Sequence, residues 1–85
     1  MNTTELLRQL SEAAGISGYE DAARDAARDA LQPYADSLHT DALGNLIALK
    51  RGTRPEGAPA RSIMLAAHTD EISLMVTGMD GTFIR

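Results

Sequence analysis

A histidine and two carboxylates follow an apolar run in the last third of the chain. The stretch "IMLAAHTDEIS", residues 63–73, has five consecutive apolar residues before His68, Asp70 and Glu71. Alternate residues of an extended segment project to the same side, so His68 and Asp70 are predicted to face together. A neutral imidazole can bind a metal through one nitrogen while its other N–H donates to a carboxylate. The spacing indicates His68 as a metal ligand and Asp70 as its orienting acid.

The same residues also have a plainer interpretation. His-x-Asp is a common pattern, and at a strand end Asp70 can simply accept backbone N–H bonds in a turn. A catalytic zinc takes about three protein ligands plus a water. The only other histidine, His39, has no acid at ligand spacing and is predicted to be an exposed strand residue. A complete metal site would therefore need residues from elsewhere.

The element that carries His68 is predicted to be a buried strand. Residues 62–68, "SIMLAAH", lack polar alternation, which is typical of strands covered on both faces in α/β proteins. In open α/β sheets, ligands bind beyond the carboxyl ends of the strands. The sequence therefore predicts an α/β fold in which His68 stands at the carboxyl end of a buried strand.

Two helices are predicted before this strand. Asn2 and Glu5 resemble a capping box, and Gly15 is placed to end the first helix in a left-handed conformation. Ser17 and Glu20 resemble a second capping box, so the second helix is expected from Gly18 to about Gln32. Its "DAARDAARDAL" repeat predicts a solvated face with two i,i+3 ion pairs: Asp21–Arg24 and Asp25–Arg28.

The remaining segments alternate between strands and turns. Residues 36–51 are predicted to form a β-hairpin that turns at Gly44–Asn45. Residues 52–61 are rich in Gly and Pro and indicate a loop. Residues 71–85 are predicted to form a strand, a turn at Asp80–Gly81 and the start of another strand.

Composition narrows the class of protein. The chain has 85 residues, suited to one small domain, and a net charge of −4, which disfavours a nucleic-acid partner. It lacks cysteine, which excludes disulfides and thiolate chemistry. No signal peptide is recognised, and no apolar run approaches the roughly 20 residues that a membrane helix needs. We expect a cytoplasmic protein without a membrane partner.

Three motifs in order carry a resemblance to a known family. "LLRQLSEAAGISGYE", "TDALGNLIALKRG" and "IMLAAHTDEISLMVTGMDGTFIR" together resemble the N-terminal part of the glutamyl aminopeptidase family. This family of dinuclear-metal exopeptidases includes TET-type aminopeptidases that assemble as tetrahedral particles, and relatives labelled deblocking aminopeptidase or endoglucanase. The resemblance covers essentially the whole chain. It matches His68 to the first metal ligand and Asp70 to the acid that orients it, and implies no catalytic role for Glu71.

The resemblance also implies an architecture and a mechanism. Residues 1–74 would be the N-terminal portion of a zinc-exopeptidase-type α/β/α catalytic domain, and residues 75–85 the start of an inserted dimerisation domain. The complete enzyme would be a homo-oligomer that uses two divalent ions, zinc or cobalt, to cleave N-terminal residues from peptides. The other ligands and the general base are not in this sequence. The 85 residues alone are therefore expected to bind metal weakly and to be inactive.

Two alternatives remain open at the level of sequence. The chain can be a non-enzymatic truncated module that self-associates or pairs with another chain through unsatisfied sheet edges. It can also belong to another hydrolase of the same zinc superfamily, such as a deacylase or a carboxypeptidase.

Overall fold

The structure, a computed structural model, describes residues 2–85. Two helices precede two short antiparallel strand pairs, so both classes of element predicted from the sequence are present. In chain order, the elements are α1 (Thr3–Glu12), α2 (Asp21–Leu31), β1 (Ser37–Thr40), β2 (Leu46–Leu49), β3 (Met79–Asp80) and β4 (Phe83–Ile84).

Helix α1 begins as predicted but ends earlier. The Asn2 side chain accepts a hydrogen bond from the backbone N–H of Glu5 at 3.1 Å, which satisfies one of the free donors of the first turn. The helix ends at Glu12, and Ala13 is already extended. Gly15 does not adopt a positive φ, so the prediction that it ends the helix in a left-handed conformation is wrong.

Helix α2 starts later than the sequence suggested. A tight turn closes between Ile16 and Tyr19, whose N–H donates to the Ile16 carbonyl at 2.7 Å, and Gly18 has a φ of 84° there. Because this turn keeps Ser17 outside the helix, Glu20 becomes the N-cap residue and makes no side-chain capping bond. The predicted second capping box is therefore wrong. Both predicted ion pairs on the helix are present.

The β1–β2 hairpin forms where the sequence predicted it. The strands pair antiparallel, with Leu38 opposite Ala48 and His39 opposite Ile47. Gly44 has a φ of 88° in the connecting loop, as expected of a glycine in a tight turn. Helix α2 packs against both α1 and the hairpin, so these elements of the first half of the chain are joined.

The predicted buried strand is not present. Ile63, Met64 and Leu65 lie in an extended segment outside any sheet, with 89%, 90% and 91% of their surface exposed. A strand needs neighbours that pair its backbone and cover its faces. None of the described residues 2–85 does so here. The apolar pattern identifies a segment suited to burial, but the described chain does not bury it.

The final segment forms a small hairpin. Strands β3 and β4 pair antiparallel across the turn predicted at Asp80–Gly81, and Gly81 has a φ of 60°. The predicted strand just after His68 is reduced to a single bridging residue, Glu71. Among the described residues, none of the helices is both long and apolar enough to span a membrane.

Candidate functional site

His68 and Asp70 are in direct contact. His68 Nδ1 lies 3.1 Å from Asp70 Oδ1 and 3.0 Å from the Asp70 carbonyl oxygen. The prediction that the two residues face together came from strand geometry, which this segment lacks. Here the contact is local: one residue, Thr69, separates the partners, and both Asp70 oxygens lie at the same ring nitrogen.

This contact defines the protonation pattern of the His68 ring. Both Asp70 atoms are oxygen acceptors, so Nδ1 carries the hydrogen and donates it. In the neutral imidazole, Nε2 is then unprotonated and has a free lone pair. The His68 side chain is 84% exposed and that of Asp70 45% exposed, so the ring is open to an incoming ligand. The arrangement has the chemistry of a metal-binding nitrogen with its orienting carboxylate.

The pair lies at the edge of an open cleft. The cleft has a volume of about 360 Å³ and separates the 67–70 segment from α2 and from the β1–β2 turn. Glu20 and Arg24 line one wall, and Asn45 lines another. One carboxylate, one guanidinium and one amide therefore face the same space as the His68–Asp70 pair.

Arg24 fixes the wall opposite the pair. Its side chain is only 16% exposed, bonds Asp21 on its own helix, and donates from Nη1 to the Gly44 carbonyl at 3.0 Å. Its buried Nε has no hydrogen-bond partner. The contact with Gly44 ties the hairpin turn to α2 on this side of the cleft.

The loop that contains Gly15 is hydrogen-bonded to the residue that follows the His68–Asp70 pair. The Glu71 N–H donates to the Gly15 carbonyl at 2.7 Å, and Ile16 and Glu71 form a parallel bridge. Glu71 is thus joined to this loop through its backbone. Gly15 is one of the few buried residues of the described chain.

The structure does not bring the second histidine to this site. His39 is exposed on β1, as predicted. Residues 2–85 contain no group of three or more His, Asp or Glu side chains that could hold a metal ion together. His68 and Asp70 thus fit one ligand and its orienting acid, and the described chain supplies no complete coordination set.

Two structural supports of the site were not identified by sequence reasoning. Arg24 was recognised only as the partner of Asp21, and Gly15 only as a helix terminator. No pattern within α2 signals that Arg24 also reaches a carbonyl 20 residues away. The glycine itself was the available signal, since it can mark a close approach of two backbones.

Comparison with curated proteins finds aminopeptidases. The chain is 42% identical over 77 residues to a lysyl aminopeptidase of Pyrococcus furiosus and 40% identical over 76 residues to a putative aminopeptidase of Acetivibrio thermocellus. It is also 33% identical over 85 residues to a glutamyl aminopeptidase of Lactococcus lactis. No protein-family model and no solved structure matches.

The matches cover the chain much more fully than they cover the relatives. The alignments include 89% of this chain for the first two relatives and 98% for the third. The chain spans about a fifth of the length of each, between 20% and 23%.

Proposed function

The chain is homologous to these aminopeptidases, as its motifs predicted, and we propose that it contributes one side of a two-metal peptidase centre. In this proposal His68 is a metal ligand and Asp70 is the acid that orients it. The observation that carries the proposal is the contact of His68 Nδ1 with two Asp70 oxygens. This contact leaves Nε2 unprotonated, with its lone pair free to bind a metal. The catalytic domain is of the zinc-exopeptidase α/β/α type, and residues 75–85 begin its inserted domain.

The chemistry follows from this pairing. Two divalent ions, zinc or cobalt, supply Lewis-acid activation of water and of the peptide carbonyl in enzymes of this kind. The carboxylate of Asp70 accepts the hydrogen bond from Nδ1–H, which fixes the orientation of the ring and makes Nε2 a more basic metal ligand. The peptide substrate and a homo-oligomeric state belong to the complete enzyme. The names of the relatives support an aminopeptidase over a deacylase or a carboxypeptidase.

The 85-residue chain is expected to be inactive by itself. One ligand and one orienting acid do not make a catalytic zinc site, which takes about three protein ligands. The test is hydrolysis of aminoacyl-nitroanilides by the purified chain with added zinc or cobalt. Appreciable, contaminant-free turnover would refute this part of the proposal.

A zinc titration followed by NMR tests the ligand assignment. Weak binding is expected, with the first shifts at the His68 ring and at Nε2 in particular. The matched variants are His68→Ala, which should lose the zinc-dependent shifts of the backbone amides of residues 67–70, and His39→Ala, which should keep them. Zinc-dependent shifts that survive His68→Ala and disappear in His39→Ala would contradict the assignment.

One observation favours a second candidate function, a module that associates with another copy of itself. Ile63, Leu65 and Ile72 are 89%, 91% and 102% exposed, and such exposed apolar strips favour strand pairing. Size-exclusion chromatography with light scattering distinguishes the candidates. A stable dimer with no effect of zinc on the His68 ring would favour the module.

A further inference from the structure

We propose that Gly15 is a positioning residue for the His68–Asp70 pair. The absence of a side chain at Gly15 lets the 15–16 backbone lie directly against the backbone of residues 69–71. This close contact holds the 69–71 backbone in the position that places Asp70 against the His68 ring. The use of the pair in metal binding rests on the proposed function, whereas the positioning itself is testable without a metal.

The space beside Gly15 is closed on the side of Thr69. A β-carbon added to Gly15 would lie 2.5 Å from the Thr69 carbonyl oxygen, well inside the approach that real β-carbons make. The obstacle is backbone, so no side-chain rotation relieves it. The adjoining hydrogen bond, from the Glu71 N–H to the Gly15 carbonyl at 2.7 Å, joins the same two segments.

Helix α2 also lies against the position of the added β-carbon. The added β-carbon would lie 3.4 Å from the β-carbon of Ala23, an ordinary contact with a residue that is itself only 4% exposed. The packing against Ala23 therefore limits how far residue 15 can shift to relieve the clash with Thr69. Residues 68–71 are mostly exposed, so the strain of a substitution passes to them.

A displacement of Thr69 directly changes the contact between His68 and Asp70. Thr69 is the single residue between the two, and its carbonyl belongs to the peptide that leads into Asp70. Both partners of His68 Nδ1 are oxygens of Asp70. If that peptide moves, Nδ1 loses both acceptors, and the ring is free to carry its hydrogen on either nitrogen.

The need for glycine at this position is steric. Gly15 does not have a positive φ, so an alanine there meets no backbone penalty of its own. Gly18, in contrast, has a φ of 84° and open space around its α-carbon. Glycine is therefore needed for different reasons at the two positions of "GISG". The first allows a close approach of two backbones, and the second allows a turn with a positive φ.

The experiment compares Gly15→Ala with Gly52→Ala. Gly52 is a matched control, because it also lacks a positive φ and has no atom within 4 Å of an added β-carbon. The readout is the tautomer of the His68 ring, from its ¹⁵N shifts at alkaline pH. The wild-type chain and Gly52→Ala should show Nδ1–H, and Gly15→Ala should shift toward Nε2–H. A wild-type tautomer in Gly15→Ala would overturn the proposal.

A second measurement needs no variant and covers the case in which Gly15→Ala does not fold. In the wild-type chain, the amide hydrogen of Glu71 should exchange at least about tenfold more slowly than the amide hydrogen of Ile72. The former donates to the Gly15 carbonyl, and Ile72 is 102% exposed. Equal exchange at the two positions would overturn the proposal. If zinc fails to shift the His68 ring while the tautomer result holds, the proposed function fails and the role of Gly15 stands.

Discussion

The two parts of this chain, residues 2–50 and residues 51–85, differ in how their elements are held. In the first part, α2 and the β1–β2 hairpin are joined by side chains: Arg24 donates to the Gly44 carbonyl, and Arg28 donates to the Thr40 hydroxyl at 2.7 Å. In the second part, residues 63–67 lie outside any helix or strand and are exposed. The backbone hydrogen bonds of that part lie mainly in the small terminal hairpin, with the bridge at Glu71 and a turn between Pro55 and Ala58 besides.

The overall dimensions reflect the same difference. The radius of gyration is 18.1 Å, compared with about 12 Å for a compact domain of this length. The molecule measures 70 × 30 × 16 Å. Helices and hairpins satisfy their backbone from their own residues, whereas a central strand depends on neighbours distant in sequence. The chemistry-bearing residues lie where these two kinds of structure meet.

The largest expected effect is a contrast in hydrogen exchange between the two parts. The amides of α2 are bonded within the helix, whereas the stretch from Ile63 to Ala67 lies outside any helix or strand. The amide hydrogens of α2 should therefore exchange at least about tenfold more slowly than those of residues 63–67, because the helix must open locally before they can exchange. Protection of 63–67 in the monomeric chain equal to that of α2 would contradict the description of the second part.

The contrast explains what the sequence could and could not predict. The ion pairs of α2, the Asn2 cap and the hairpin turn at Gly44 depend on residues a few positions apart, and these predictions are confirmed. The apolar run 63–67 signals burial, but the residues that would bury it are not local. The start of α2 was missed because the Gly18 turn competes with the capping pattern.

The site divides in the same way. The contact between His68 and Asp70 spans two residues, so their types and spacing were enough to anticipate it. The contacts of Gly15 with Thr69 and of Arg24 with Gly44 join distant segments. No periodicity along the chain marks such contacts, and only the folded arrangement reveals them.

The next effect tests the connection within the first part. Arg24→Ala should detach the hairpin turn from α2 and destabilise their packing by about 1.5–3 kcal/mol, the range for a hydrogen bond that involves a charged group. Arg8→Ala is the matched control. Its side chain is 57% exposed and pairs with Glu5 and Glu12 of its own helix, and each of these pairs should be worth less than about 1 kcal/mol.

Thermal unfolding by circular dichroism and the NOEs between Gly44 and α2 measure this difference. Loss of the NOEs is expected for Arg24→Ala and not for Arg8→Ala. Equal effects of the two substitutions would show that the Gly44 contact does not hold the hairpin.

The smallest effect concerns the pH dependence of the hairpin loop. The hydrogen bond from the Asn45 side chain, then those from the Asn45 and Leu43 N–H groups, hold the pKa of Asp41 below its ordinary value of about 3.9. A pKa lowered by folding stabilises the loop above the unfolded value, and this contribution is lost as pH falls through the folded pKa.

The loop should therefore be intact at neutral pH and should loosen only in strong acid. Amide shifts of Leu43 and Asn45 between neutral pH and pH 2 follow the transition, and Asp41→Asn should remove it. A midpoint at or above the ordinary carboxyl value would contradict the assignment.

The central claim, that His68 is a metal ligand of an aminopeptidase, is tested most directly by exchanging segments. The matching segment of the Pyrococcus furiosus lysyl aminopeptidase is replaced by this chain, and hydrolysis of a lysyl substrate is measured with and without substitutions. We predict an active hybrid that loses about 10- to 100-fold with Asp70→Ala, at least as much with His68→Ala, and little with His39→Ala. Activity in His68→Ala equal to that in His39→Ala would contradict the claim.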